Sequence, residues 1–325
     1  MPCEEYLFAV DQWISGLLGW VGERSLTFIL LVSGTVACQS ASVPANEAVQ
    51  SKQRPPNFVV IFCDDLGYGD IGPFGSTKHR TPNIDRMAQE GMRLTNFYVT
   101  SGVCTPSRSS LLTGCYPRRI NLDKDARGGW VLFPGAHKGL HPDEITIAEV
   151  LKDEDYATAI VGKWHLGDQP LFLPTRQGFD SYFGIPYSND MGHWNTNRDY
   201  PALPLLRNEE VIETEPDQSS LTQRYTEEAV RFIEDHRDES FFLYVAHTMP
   251  HNPVASSELF AGHSANGGYG DAVEEIDWST GEILQALNSL GIDEQTLVVF
   301  TSDNGAASRW GGSNAPLSGF KGSTM

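Results

Sequence analysis

From Asn57 onward, short continuous apolar runs alternate with segments whose apolar residues recur at helical spacing. Phe58–Cys63, Tyr156–Val161, Phe241–Ala246 and Leu297–Ser302 lack the polar alternation of a half-exposed strand, so they read as strands buried on both faces. Thr81–Gly91 reads as a short helix, with Thr81 in the capping position, Pro82 suited to the first turn and Gly91 as terminator. Glu144–Asp153, Ser219–His236 and Tyr269–Leu290 carry helical spacing. Strands alternating with helices predict an α/β fold, a mainly parallel central sheet sandwiched by helices. Such sheets gather ligands beyond the carboxyl ends of their strands. Asp64-Asp65 and Asp303-Asn304 follow two of these runs directly.

Residues 1–55 read differently. Arg24 precedes the apolar run Ser25–Ala37, which ends in small residues and is followed by Cys38 and a polar stretch, Gln39–Gln53. The run has the length of an export signal and is short for a membrane span. The residues before Cys38 resemble a bacterial lipoprotein box, with Thr35 where leucine is usual. That resemblance implies a lipid on Cys38 and no other membrane contact. The expectation is a leader and linker over 1–55 on an exported periplasmic or cell-envelope protein; the other reading is a buried N-terminal helix.

The 325 residues carry 23 Lys+Arg against 42 Asp+Glu, a formal charge of -19. That field opposes nucleic-acid binding, which needs clustered positive charge. Five cysteines without a CxxC pair indicate neither a disulfide scaffold nor structural zinc. Cys63, inside an apolar run, reads as a core residue, and Cys115 as structural.

The strand-end residues Asp64, Asp65, Asp303 and Asn304 are hard oxygen donors suited to Ca²⁺ or Mg²⁺. Singly they are ordinary turn residues, but brought together they would repel without a cation. Leu297–Ser302 can pack without Asp303, so that carboxylate reads as placed for chemistry. Cys104-Thr-Pro-Ser-Arg-Ser-Ser-Leu-Leu-Thr-Gly114 reads as a turn into a helix, capped by Thr105 or Cys104, with Leu111 and Leu112 toward the core and Gly114 at its end. Cys104 then sits at a helix N-terminus with Arg108 one turn along, which makes a plain thiolate nucleophile conceivable.

The same segment, C-x-P-S-R followed by x-x-x-L-T-G, resembles the signature of the type I sulfatases, arylsulfatase A-like members of the alkaline-phosphatase-like superfold. Asp64-Asp65, Gly162-Lys-Trp-His-Leu-Gly167, Gly184-Ile-Pro-Tyr-Ser188, Ser302-Asp-Asn-Gly305 and Gly319-Phe-Lys-Gly-Ser-Thr324 match further blocks of that family. The resemblance covers residues 56–325 and implies a catalytic domain there. It implies conversion of Cys104 to formylglycine by a formylglycine-generating or sulfatase-maturating enzyme. It also implies Ca²⁺, rather than Mg²⁺, held by Asp64, Asp65, Asp303, Asn304 and the modified Cys104. Arg108 and Lys163 would orient the hydrated aldehyde, Lys163 and Lys321 would bind sulfate oxygens, His165 would sit beside the hydroxyl, and Ser188 would touch substrate. His251 matches the remaining family histidine, with His247 as the competing assignment.

The implied reaction is hydrolysis of a sulfate ester, a sulfated sugar or aryl sulfate. One hydroxyl attacks sulfur, the alcohol leaves with a proton from His251 or Lys321, and the second hydroxyl, deprotonated by His165, expels sulfate. Two alternatives stay open: a phosphomonoester or phosphonate-ester hydrolase on the same scaffold, and a carbohydrate-binding relative without turnover. The family continues beyond the Lys321 block into a smaller C-terminal subdomain, which this sequence is expected to lack. The loops Leu122–His141 and His193–Pro216, where substrate choice would lie, show no readable pattern.

Overall fold

The computed structural model describes residues 54–323. The expected leader and linker, with the Ser25–Ala37 run and Cys38, fall almost wholly outside the described residues. Among the described residues no helix is long and apolar enough to cross a membrane.

Seven strands, β1 (Asn57–Cys63), β2 (Ala157–Gly162), β3 (Ser181–Gly184), β4 (Pro204–Arg207), β5 (Glu210–Thr214), β6 (Phe241–Ala246) and β7 (Thr296–Ser302), form one sheet in the order β5-β4-β3-β2-β6-β1-β7. The five strands from β3 to β7 along that order are parallel, as expected, and β4 and β5 add an antiparallel hairpin at one edge. The hairpin lies in the segment that showed no pattern, and β5 is mostly exposed, so hydrophobicity had not marked it.

Among the described residues five α-helices accompany the sheet: α1 (Pro82–Glu90), α2 (Cys104–Thr113), α3 (Ile147–Asp153), α4 (Leu221–Asp235) and α5 (Gly267–Ser289). Alternate strand residues point to opposite faces. Val59, Ile61, Leu243 and Val245 therefore pack with Tyr225, Ala229 and Ile233 of α4 and Ile283 of α5. Phe62, Ile160, Phe242 and Tyr244 pack with Leu112 of α2 and with Ala148 and Leu151 of α3. Continuous apolar runs are required because both faces are covered.

Helix starts differ from the expectation where side chains decide them. α3 begins at Ile147 rather than Glu144, because Thr146 accepts from the Glu149 N–H while Glu149 Oε2 accepts from the Thr146 N–H. Thr81 precedes α1 but does not cap it through its hydroxyl. The N–H groups of Asn83 and Ile84 donate instead to Asp277 of α5. The N-cap of α2 is Val103, leaving Cys104 as the first helical residue. Leu112 is buried as expected, whereas Leu111 is partly exposed.

Where β2 ends, Gly162 has φ 112° and lies against β6 so closely that a Cβ would overlap the Ala246 carbonyl. This close approach sets the position of Lys163. Gly162→Ala is expected to destabilise the fold by roughly 3 kcal/mol or more, combining overlap with a disallowed φ. Denaturant unfolding would check this; an unchanged midpoint would contradict the packing described.

Candidate active site

β1, β2, β6 and β7 end side by side, with Cys63 paired to Ser302 and Gly162 to Ala246. The residues that follow are therefore delivered to one sheet edge. The Asp303 N–H donates to Cys63 O at 3.0 Å, and the Lys163 N–H to Ala246 O at 2.7 Å. Asp65 and His165 adopt left-handed φ values of 65° and 61°. Such conformations cost a non-glycine residue about 1–3 kcal/mol and cluster at functional sites.

The start of α2 brings Cys104 to this edge. Its Sγ lies 3.3 Å from Asp64 Oδ1 and 3.4 Å from Lys321 Nζ. Lys321 Nζ also stands 2.7 Å from Asp65 Oδ1. Lys163 Nζ pairs with Asp64 Oδ2 and donates to Ser188 Oγ at 3.2 Å. Arg108, fully buried, donates through Nε and Nη2 to Asp303 Oδ2 at 3.2 and 2.9 Å, and through Nη1 to Lys163 O at 3.0 Å. Asp303 Oδ1 accepts from the Asp65 N–H at 3.2 Å, and Asn304 Nδ2 donates to Asp65 Oδ1 at 2.7 Å.

Charge follows from this packing. Burial opposes ionisation of Asp64, yet Lys163, then His251 and Arg108, hold its carboxyl well below the usual range. Burial, and next the Asp64 carboxylate, push the Asp303 carboxyl up to about 7 in spite of Arg108. Burial and then Asp64 also push the Cys104 thiol far up, a direction opposed to the plain thiolate conceivable from sequence. Burial and then Lys163 keep His165 neutral; its Nε2 contacts Leu132 O at 3.0 Å and its Nδ1 is buried without a partner.

The two competing histidines separate. His251 Nε2 lies 3.8 Å from Asp65 Oδ2, and its Nδ1 faces two acceptors, Asn252 O at 2.7 Å and Asn189 Oδ1 at 3.0 Å. The proton therefore belongs on Nδ1, leaving Nε2 as the free base. Burial, and next Lys321, lower its basicity. His247 points elsewhere, with Nε2 3.4 Å from Ser279 Oγ, and burial alone pushes its pKa down to about 4.

A cation fits this donor set. Asp64, Asp65, Cys104 and His251 offer ligand atoms that all lie within 4.8 Å of one another. Asn304 Oδ1 is buried with no hydrogen-bond partner, a state that a cation would relieve. Asp303 stands one step back from that group, engaged by Arg108 and the Asp65 N–H. Its carboxylate is thus the counterion of a buried guanidinium as well as a candidate ligand, which corrects its reading as dispensable to folding.

A family model, Sulfatase, matches residues 56–324. The chain belongs to the sulfatase family. It is 42% identical to human arylsulfatase A over 270 residues, covering 78% of this chain and 52% of that protein. It is 41% identical to mouse N-acetylgalactosamine-6-sulfatase over 308 residues, covering 89% of this chain and 57% of that one. The crystal structure of Ps i-CgsB in complex with k-i-k-neocarrahexaose superposes with a TM-score of 0.73 at 31% identity, covering 83% of this chain and 63% of that one. The chain spans about half the length of the curated relatives it matches.

In this sulfatase-family chain Asp64, Asp65, Cys104, Arg108, Lys163, Ser188, His251, Asp303, Asn304 and Lys321 are joined by direct contacts, whereas the ring of His165 meets Leu132 O and that of His247 meets Ser279 Oγ. The Arg108 contacts hold Asp303 and Lys163, and Ser188 stands beneath Lys163. Sequence reasoning missed Asn189, which orients His251, although it directly follows the Ser188 block. It also missed Tyr269, whose hydroxyl donates to Asp70 Oδ2 at 2.6 Å and lies 3.3 Å from Asp65 O. Tyr269 sits on a helix far along the chain, and no local pattern marks that contact.

The cation site gives an expected outcome independent of turnover. Calcium should raise the thermal midpoint of the wild-type chain, since a ligand of the folded state stabilises it. Asp65→Asn keeps the side chain's size and removes its charge, so it should weaken calcium affinity by about tenfold or more. Equal calcium-dependent shifts in the two proteins would contradict the site.

Proposed function

We propose that this chain hydrolyses sulfate esters through a formylglycine made from Cys104 and a bound Ca²⁺. The observation that carries the reading is the convergence of Cys104 with Asp64 and Lys321, from three distant segments, at contacts of 3.3 and 3.4 Å. Asp64, Asp65, Asn304 and the side chain at position 104 would hold the cation, with Asp303 beside them. The ion would supply positive charge for the oxygens of the sulfate group. The hydrated aldehyde would supply one hydroxyl for attack on sulfur and another for release, which neither a thiol nor a serine provides.

The chain's own residues do the rest. Lys163 and Lys321 neutralise sulfate oxygens as charge shifts toward the leaving alcohol. Ser188 holds the Lys163 ammonium, and Arg108 fixes Asp303. His165, kept neutral by burial and Lys163, is a base without a proton on at least one ring nitrogen. Lys321 is the proton donor beside position 104, and His251, its tautomer set by Asn189 and Asn252 O, offers Nε2 as an acceptor.

Sulfated carbohydrate is the proposed substrate class. It is supported by the neocarrahexaose bound to Ps i-CgsB and by the name of the mouse N-acetylgalactosamine-6-sulfatase. Export to the periplasm or cell envelope, with a lipid on Cys38, is proposed from the Ser25–Ala37 run and its flanks. A maturating enzyme is the partner that formylglycine formation would require.

The test is sulfate release by protein produced in a host that converts the cysteine. Cys104→Ala should lower the rate by about a thousandfold or more while unfolding at a similar midpoint. Cys104→Ser should react once and stall, because serine has no second hydroxyl. Sustained turnover by the serine variant would favour a phosphatase-like mechanism.

A further inference from the structure

An exposed tryptophan stands against the segment that carries Lys321. Trp130 is 61% exposed, although indole is among the side chains that gain most from burial. Its place is fixed by the loop that carries it. Two residues on, the Leu132 N–H donates to Thr105 Oγ1 at 3.1 Å and Leu132 O contacts His165 Nε2 at 3.0 Å. The loop is thus tied both to the residue after Cys104 and to a site histidine.

The indole also meets Gly322. A Cβ on Gly322 would lie 3.1 Å from Trp130 Cζ3, so the six-membered ring rests against the Gly322 backbone. Gly322 follows Lys321, whose ammonium is 3.4 Å from Cys104 Sγ, and the Gly322 N–H donates to Gly102 O at 2.8 Å. Gly322 has φ 82°, and its missing side chain is what lets the ring settle there. Trp130 is therefore supported on a stretch only one residue step, about 3.8 Å, from the lysine that reaches the sulfur.

We propose that Trp130 is a substrate-binding platform, which takes the apolar face of the sugar ring bearing the sulfate ester. This rests on the sulfate-ester reading and adds a determinant that distinguishes a pyranose sulfate from inorganic sulfate. The anion is held by the charged cluster; the ring C–H groups lie on the indole. Stacking on an exposed aromatic tolerates many rings because it reads a face rather than a hydrogen-bond pattern.

The test uses the full chain with Cys104 left as the thiol and calcium present, and measures binding by calorimetry. The probes are inorganic sulfate and N-acetylgalactosamine 6-sulfate. Wild type should bind the sugar sulfate more tightly than sulfate. Trp130→Ala should weaken the sugar sulfate about tenfold, equivalent to about 1.4 kcal/mol, and leave sulfate within about twofold. Trp130→Phe should recover most of the loss, since phenylalanine keeps a ring face. Unchanged sugar-sulfate affinity in Trp130→Ala, or equal loss of both ligands, overturns the proposal while the sulfate site stands. Failure of wild type to bind inorganic sulfate overturns the sulfate-ester reading and this proposal with it.

Discussion

Asp64, Asp65 and Asp303 are buried together at the carboxyl ends of β1 and β7, and the surrounding structure is organised by the cost of putting them there. Removing an ion from water costs several kcal/mol even after the protein relaxes, so each charge needs an opposite partner in contact. Lys163 stands on Asp64, Lys321 on Asp65, and Arg108 on Asp303. These cations are drawn from β2's end, the last described segment and α2, so the charge cluster ties together distant parts of the chain. Within the cluster Arg108, Lys163 and Lys321 balance the three carboxylates.

Placement of Cys104 at the start of α2 has a second consequence. Free N–H groups at a helix N-terminus favour an anion, yet burial and the Asp64 carboxylate outweigh them and push the thiol's pKa up. An ordinary cysteine would be a poor nucleophile in this position.

Much of this was legible in the sequence because parallel strands covered on both faces must be continuously apolar, and because their carboxyl ends must gather at one edge. Phe241–Ala246 is recovered as β6 with its bounds intact, and Asp64, Lys163 and Asp303 follow strand ends as expected. What was not legible depends on distant partners. Asp277 on α5 supplies the N-terminal contacts of α1, which local sequence assigned to Thr81. Arg108 turns to Asp303, nearly two hundred residues away, and that pairing gives Asp303 its structural duty. Asn189 and Tyr269 carry no motif of their own; their roles come from packing against His251 and Asp65.

The central claim is that position 104 is the reacting centre in converted form. The most direct measurement is the mass of the peptide containing residue 104, taken from protein made in a host that carries a formylglycine-generating enzyme. Conversion replaces the thiol with an aldehyde, so the peptide should appear lighter than the cysteine form by the difference between SH plus H and a carbonyl oxygen, and should react with a hydrazide probe. A peptide found only as the intact, alkylatable thiol, in a host shown to convert another sulfatase, would contradict the account.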